Sequence, residues 1–173
     1  MLLRNAEILF NKPMSFDLYH MGLVCPDIAA KIQPGQFLMV RIQDRLDPLL
    51  RRPFAIHRLY PSDPPGSFEM LYKVVGRGTQ LLTNMQGGDS VNLLGPLGRG
   101  FRLPEEKGSV LMVAGGIGIA PLPYLAETIA ASGCRGPFVL WFGGKTSADL
   151  VCVQHFNDLG FAVQLVTEDG SEG

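Results

Sequence analysis

The stretch that decides the fold is Val110-Leu111-Met112-Val113-Ala114-Gly115-Gly116-Ile117-Gly118-Ile119-Ala120-Pro121-Leu122. It opens as a short apolar run, which is typical of a buried strand. It then passes through glycines to Pro121, a favourable first residue for the helix that we predict over residues 120–132. Glycines let a ligand approach the backbone, and a helix start offers free N–H groups. The turn is therefore a candidate nucleotide site, with three glycines in it: Gly115, Gly116 and Gly118.

Pro121 stands where the third glycine of the G-x-G-x-x-G dinucleotide fingerprint would be, so a tight structural turn explains this stretch equally well by itself. The surrounding pattern favours a ligand. Strands are predicted at 109–114, 138–142 and 161–167, and helices at 120–132 and 147–159. This alternation predicts a doubly wound parallel α/β domain over residues 103–173. Ligands of such sheets bind beyond the carboxyl ends of the strands, where three loops fall: 115–118, 143–144 and 168–170.

Residues 1–102 have a different pattern, rich in short strands. We predict strands at 6–10, 16–24, 37–42, 54–59, 68–75 and 90–94, and one helix at 79–85. Turns are predicted at 11–13, 44–48 and 61–66, and Gly95-Pro96 is predicted to end the last strand. Six short strands at this spacing indicate an antiparallel closed barrel or sandwich. The α/β domain that follows has only three strands, so we expect it to be incomplete and to continue beyond Gly173.

Composition excludes several classes of function. The formal net charge is −1 over 173 residues, which gives no electrostatic reason to expect nucleic acid or an anionic membrane as partner. No apolar run is long enough to span a membrane, and the N-terminus does not read as a signal peptide, so a cytoplasmic location is expected. No P-loop, H-E-x-x-H or G-x-S-x-G motif is present.

Cysteines and histidines give no sign of a metal or acid–base site. The three cysteines, Cys25, Cys134 and Cys152, are far apart and lack any ligand spacing, so we expect no metal ligands in this chain. The three histidines have no obvious carboxylate or cysteine neighbour in sequence. His57 is predicted to lie on a barrel strand in a packing or surface role.

Two stretches of the β-rich part could bind phosphate. Arg51-Arg52-Pro53-Phe54-Ala55 places an arginine at a strand start, where it can clamp a diphosphate bidentately. Two solvated arginines before an edge strand are the alternative. In residues 72–79, Gly76 and Gly78 free the backbone and Thr79 is predicted to cap the following helix, at a position suited to phosphate or to an ordinary cap.

These motifs occur in one order: Arg-x-Phe, Gly-x-Gly-Thr, the Gly-Pro-x-Gly of residues 95–98, and Gly-Gly-x-Gly-x-Ala-Pro-Leu. That order resembles the ferredoxin–NADP reductase superfamily, whose antiparallel barrel holds a flavin and whose α/β domain holds a nicotinamide nucleotide. Within the superfamily, residues 50–54, 72–79, 95–98 and 166–171 are most similar to the electron-transfer subunits of class B dihydroorotate dehydrogenases. The resemblance covers the whole chain.

The resemblance implies that residues 1–102 bind FAD and residues 103–173 bind NAD. The FAD residues would be Arg52 (on the pyrophosphate), Pro53, Phe54, Ala55, Leu71, Tyr72, Lys73, Gly78 and Thr79. The NAD side would be formed by Gly115, Gly116, Gly118 and Pro121. Catalysis would be carried by the cofactors, with no catalytic side chain. Members of the family usually have Ser or Thr where this chain has Ala55, and they carry a cysteine quartet for a [2Fe–2S] cluster, which we expect only in the full-length protein.

The partner implied is an FMN-containing dihydroorotate dehydrogenase catalytic subunit, in a heterotetramer that serves pyrimidine biosynthesis. Electrons from dihydroorotate would pass from FMN through the iron–sulfur cluster to FAD, and then to NAD⁺. One alternative is a related subunit that delivers NAD(P)H electrons to ferredoxin, a hydrogenase or a sulfite reductase. The other is a non-catalytic scaffold or regulatory module that retains the fold.

Overall fold

Seven antiparallel strands and two short helices build residues 1–100 in the computed structural model, which describes residues 1–42, 48–60 and 64–173. Along the chain they are β1 Leu2–Pro13, β2 Leu18–Val24, α1 Pro26–Ala29, β3 Phe37–Arg41, β4 Arg52–Ala55, β5 Arg58–Tyr60, β6 Ser67–Lys73, α2 Arg77–Leu82 and β7 Ser90–Leu97. Residues 44–47 of the predicted loop and 61–63 of the predicted turn lie outside the described residues.

The connection between β4 and β5 explains why the sheet becomes a barrel rather than a sandwich. The strand order is β4-β3-β7-β1-β2-β6-β5, so β4 and β5 are the two edges of one sheet. Only Ile56 and His57 join them, and a link this short requires the sheet to curl until its edges meet. The rings of Phe54 on β4 and Tyr72 on β6 accordingly pack 5.7 Å apart.

The barrel is filled by alternate side chains of its strands. Fully buried residues come from every part of the sheet, including Ile8, Met21, Leu23, Leu38, Val40, Ile56, Phe68, Met70 and Leu93. Burying a side chain of this size contributes about 1.5–3 kcal/mol. This packed interior gives β4, β6 and α2, which carry the predicted flavin residues, a rigid support.

Three predicted boundaries in this unit were wrong. Residues 11–13 continue β1 and are not a turn, because they pair with residues 19–21 of β2. The predicted strand at 54–59 is divided between β4 and β5, which pair with different neighbours. Gly95-Pro96 does not end β7. Gly95 still pairs with Leu2, and Leu97, which follows Pro96, pairs with Phe37.

Residues 101–173 form the second unit, with three parallel strands in the order β10-β9-β8. Its elements are β8 Val110–Gly115, α3 Leu122–Ala131, β9 Phe138–Gly144, α4 Val153–Asp158 and β10 Ala162–Thr167, with 3₁₀ turns at Gly116–Ile119 and Ser147–Asp149. The predicted parallel sheet with helices is confirmed. Both predicted helices start too early. α3 begins at Leu122, with Pro121 as its N-cap rather than its first residue, and residues 147–149 of the second predicted helix form a separate 3₁₀ turn before α4.

The two faces of this parallel sheet differ. Met112, Ala114, Leu140 and Phe142 are buried on one face, and α3 and α4 contact each other. On the other face Leu111 and Val113 are 66% and 72% exposed, and Trp141 and Val166 are about half exposed. In the described part of the chain, no helix is long and apolar enough to cross a membrane.

Candidate functional site

Arg52 and Gly78 bring the two predicted phosphate-binding stretches together. Arg52 is the first residue of β4, and its side chain lies directly against Gly78 in α2. A Cβ built on Gly78 would stand 2.5 Å from Arg52 Nε and 3.0 Å from Cζ, so a side chain here would have to displace the guanidinium. Within the described residues Arg52 Nη1 donates to the Leu50 carbonyl. That leaves most of the five guanidinium N–H donors available to an anion.

Thr79 holds the turn that presents Gly78. Its Oγ1 accepts hydrogen bonds from the backbone N–H groups of Val75 (2.9 Å) and Gly76 (3.1 Å), and donates to the Gly76 carbonyl (2.9 Å). The prediction that Thr79 is the N-cap was wrong: Gly76 is the N-cap, and Thr79 is the third helical residue, reaching back to it. Its buried hydroxyl proton is used inside the turn, so Thr79 positions Gly78 rather than presenting a free donor.

Replacing Thr79 by valine is expected to loosen this turn. Thr79→Val keeps the shape of the side chain but removes the acceptor of the Val75 and Gly76 backbone N–H groups. Loss of such a cap lowers the free energy of unfolding by about 1–2 kcal/mol. Urea unfolding followed by circular dichroism measures the change, and Thr79→Ser, which keeps the oxygen, is the control. Equal stabilities of the two variants would show that the hydroxyl does not hold the turn.

Tyr72 links β6 to the end of α2. Its phenol donates to Asn11 Oδ1 at 3.0 Å, and Asn11 Nδ2 donates to the carbonyls of Leu82 (2.8 Å) and Met85 (3.0 Å). Burial raises the pKa of the Tyr72 phenol well above its usual range, so it remains a hydrogen-bond donor. The sequence analysis assigned Asn11 to a turn and missed this role, because its partners lie about 60–75 residues later in the chain.

The side chains of the predicted flavin residues on β6 are committed to the protein. Leu71 and Tyr72 are almost fully buried, and Tyr72 stacks on Tyr19 with ring centroids 5.6 Å apart. The Lys73 ammonium pairs with Asp17 at 3.0 Å. Any contact of Leu71 and Tyr72 with a flavin would therefore be made by their backbone groups.

Arg51 and Arg52 have different surroundings. Arg51 Nη1 donates to the carbonyls of Met39 (3.2 Å) and Asn92 (3.0 Å), and Nη2 donates to the Asn92 side chain. Burial, with the charge of Arg41 nearby, lowers the pKa of Arg51. Arg51 is thus tied to β3 and β7, and the interpretation of both arginines as a solvated pair does not hold.

The glycine turn of the second unit lies at the carboxyl end of β8, as predicted. A Cβ built on Gly115, Gly116 or Gly118 would meet no atom within 4 Å, so these glycines leave open space beside the backbone. Gly116 has φ +49°, a conformation that favours glycine. The loops after β9 and β10 are joined at the same edge, since the Glu168 N–H donates to the Gly144 carbonyl (3.1 Å).

The loop after β10 has an internal hydrogen-bond network. The Ser171 hydroxyl and backbone N–H donate to Asp169 Oδ1 at 2.7 Å and 3.0 Å, and these bonds lower the pKa of the Asp169 carboxyl. The Ser147 N–H in turn donates to Ser171 Oγ at 2.9 Å. The loops at the carboxyl edge of the sheet are therefore ordered by contacts with one another.

Comparison with protein families gives a match for the β-rich first unit. The sequence profile of the oxidoreductase FAD-binding domain family matches residues 11–101, more than half of the chain. The chain belongs to this family. The matched FAD-binding domain includes Arg52, Gly78 and Thr79, the residues that meet at the start of α2.

Some relatives are similar to this chain over nearly its whole length, and not only over the FAD-binding domain. The electron transfer subunit of dihydroorotate dehydrogenase B (NAD⁺) from Desulforamulus reducens is 40% identical over 169 residues, covering 98% of this chain and 63% of the relative. The same subunit from Shouchella clausii is 41% identical over 159 residues, covering 91% and 60%. The chain thus spans less than two thirds of the length of these relatives. The predicted resemblance to such subunits is confirmed.

A solved structure supports the same architecture. An NADH-dependent reduced ferredoxin–NADP oxidoreductase superposes with a TM-score of 0.83 at 28% identity, covering 97% of this chain and 58% of that chain. The prediction of an antiparallel flavin-type barrel followed by a parallel α/β unit is confirmed. The individual ligand contacts of Arg52, Pro53, Phe54, Ala55, Leu71, Tyr72, Lys73, Gly78, Thr79, Gly115, Gly116, Gly118 and Pro121 stay predictions.

Two histidines of the FAD-binding domain lie beside a carboxylate that the sequence did not reveal. His20 Nε2 is 2.9 Å from Glu69 Oε2, and the ring of His57 packs edge-on against His20 at 5.5 Å. His57 does not lie on a strand; it is a buried residue of the link between β4 and β5. Register between β2 and β6 creates the cluster, so spacing in the sequence could not reveal it.

The cysteines do not fit an iron–sulfur cluster. A [2Fe–2S] cluster takes four protein ligands, usually thiolates, and the chain has three cysteines. Cys134 Sγ lies 3.2 Å and 3.4 Å from the carbonyls of Glu105 and Gly108, as a weak hydrogen-bond donor. Cys25 is buried, and burial raises the pKa of its thiol. No electron-transfer step is assigned to these thiols.

Proposed function

We propose that this chain is the FAD- and nicotinamide-binding part of an electron-transfer subunit serving a cytoplasmic dihydroorotate dehydrogenase, with NAD⁺ as electron acceptor. The observation that carries the proposal is the contact of Arg52 with Gly78 inside a matched FAD-binding domain. Relatives about 40% identical along almost the whole chain carry that name. The FMN-containing catalytic subunit and the heterotetramer belong to the proposal for the whole protein.

The residues around Arg52 fit FAD. A guanidinium binds a diphosphate bidentately, and the missing Cβ of Gly78 lets Arg52 lie across the start of α2. Phe54 and Tyr72 hold β4 against β6, which brings residues 52–55 and 71–73 to one region of the barrel.

The protein's role is to bind and orient the two nucleotides. FAD, when bound, supplies the electron-transfer chemistry, including hydride exchange with a nicotinamide ring. Gly115, Gly116 and Gly118 are proposed to let a nicotinamide nucleotide approach the end of β8, and Pro121 to fix the start of α3. Ordered loops at the carboxyl ends of parallel strands support this assignment.

Anaerobic reduction tests the two-nucleotide proposal. Adding NADH to the FAD-loaded chain is expected to bleach the flavin absorbance. A chain that binds FAD but is not reduced by NADH would contradict the nicotinamide assignment of the second unit. Co-purification of the full-length protein with a dihydroorotate dehydrogenase catalytic subunit tests the partner, and a ferredoxin, hydrogenase or sulfite reductase in its place would contradict it.

Ala55 offers a separate test of flavin orientation. It ends β4 opposite Phe37 and is half-buried, at the position where the resemblance places a hydroxyl near the reactive flavin nitrogen. Ala55→Ser is expected to speed reduction by NADH about fivefold, since one hydrogen bond contributes about 1 kcal/mol. FAD affinity should change little. Stopped-flow absorbance measures the rate, with Ala55→Cys as the size control; equal rates in both variants would contradict this placement.

A further inference from the structure

We propose that His20, His57 and Glu69 form a binding site for a divalent transition metal ion, with Zn²⁺ as the first candidate. None of the three is among the residues assigned to FAD. One ligand atom from each lies within 4.8 Å of the others, and no ion is present. Two imidazoles and a carboxylate are a donor set that suits Zn²⁺.

The distances are close to those of a metal centre. Around a tetrahedral ion with bonds of about 2.1 Å, neighbouring donor atoms lie about 3.4 Å apart. His20 Nε2 and Glu69 Oε2 are already 2.9 Å apart, so the third donor needs to move by little more than 1 Å. Rotations of the His57 and Glu69 side chains provide such a movement without a change of the backbone.

The sheet holds the donors in place. Gly22 is opposite Glu69 on β2, and a Cβ there would stand 2.4 Å from the Phe10 ring, so the absent side chain leaves room for that ring beside His20. The Phe10 and His20 rings pack edge-on at 5.1 Å. The backbone N–H of His57 donates to the Glu69 carbonyl at 2.8 Å.

The two closest donor atoms have lone-pair capacity that a cation would use. His20 Nε2 and Glu69 Oε2 are both buried, and within the described residues their 2.9 Å contact with each other is the only polar contact that either atom has, as is also the case for His155 Nε2 with Glu127. Buried polar atoms are nearly always partnered. An ion between the imidazole and the carboxylate satisfies both atoms at once.

The site has an approach from solvent and a consequence for the fold. Glu69 also lines a pocket of about 270 Å³ together with Phe10, Tyr60 and Ser67, through which an ion and a fourth, water ligand can enter. The ion would tie β2 and β6 to the link between β4 and β5, where the barrel closes. Zn²⁺ has no redox chemistry of its own, so it would not compete with the flavin for electrons.

Titration with Zn²⁺ tests the site. The chain, freed of metal with a chelator, is titrated with Zn²⁺ by calorimetry, and one ion per chain is expected. His20→Asn and Glu69→Gln should each weaken binding at least about a hundredfold, the upper range for loss of a residue that only supports a ligand. Zn²⁺ should also raise the melting temperature of the unmodified chain. Co²⁺ gives an independent readout, because its visible absorption reports nitrogen and oxygen ligands.

The chain contains a matched control pair. His155 Nε2 lies 3.1 Å from Glu127 Oε1, with the same side-chain exposure of 24% on both residues, but this pair has no third donor in the described part of the chain. Glu127→Gln should leave Zn²⁺ binding unchanged. Absence of stoichiometric binding and of a Co²⁺ spectrum, or equal weakening by Glu127→Gln and Glu69→Gln, would overturn the proposal and leave a buried histidine–carboxylate contact.

Discussion

Arg52→Ala is expected to lower the affinity of the chain for FAD at least about a hundredfold while the barrel remains folded. Two charge-assisted hydrogen bonds to a diphosphate are lost, and bonds of this type contribute about 1.5–3 kcal/mol each. Arg52→Lys should recover only part of the affinity, because an ammonium is a point charge that cannot bind two oxygens in a planar fork. Quenching of flavin fluorescence measures affinity, and circular dichroism shows whether the fold is kept.

The adjacent Arg51 is the matched control. Arg51→Ala removes the donors that serve the carbonyls of Met39 and Asn92, so it should lower the free energy of unfolding by about 1–3 kcal/mol. The part of the sample that remains folded should bind FAD within a fewfold of the unmodified chain. If both variants lost FAD equally, the positive charge of the segment rather than the position of Arg52 would explain binding.

Gly78→Ala is expected to have an effect of similar size through the same arginine. The new Cβ would stand 2.5 Å from Arg52 Nε, so the guanidinium has to leave its position across the start of α2. FAD affinity should fall at least tenfold, with little loss of stability, because alanine is a better helix former than glycine. Combining Gly78→Ala with Arg52→Ala should add little, since both act on one contact.

Gly76→Ala provides the comparison for this substitution. Gly76 lies two residues away, in extended backbone with φ 178°, and its added Cβ would meet no protein atom within 4 Å. Its FAD affinity should therefore stay close to that of the unmodified chain. Equal losses in both variants would mean that the turn excludes any added methyl group, and that displacement of Arg52 is not the cause.

The parts of the fold that could be predicted are those set by local pattern. Alternating apolar residues, glycines and prolines revealed the strands of the barrel and the β-α alternation after residue 103, and the order of motifs revealed the family. Features that depend on pairing between distant segments could not be predicted from the sequence. The two-residue link that divides β4 from β5 depends on barrel closure, and the extension of β1 over residues 11–13 depends on pairing with β2.

The candidate site shows the same limit. Arg52, Gly78 and Thr79 were predicted as separate motifs, but only the folded chain shows that Arg52 lies on Gly78 and that Thr79 uses its hydroxyl inside the turn. Asn11 and the His20–Glu69 contact escaped prediction, since each joins residues far apart in sequence. Residue type alone also did not distinguish Arg51 from Arg52, whose tasks depend on which strands surround them.

Titration of the purified chain with FAD, followed by flavin fluorescence, tests the central claim most directly. The structure predicts saturation at one FAD per chain, with similar affinities for the unmodified chain and Gly76→Ala and far weaker binding by Arg52→Ala and Gly78→Ala. No binding of FAD by the folded chain, or equal binding by all four proteins, would contradict the claim that Arg52 against Gly78 forms the FAD site.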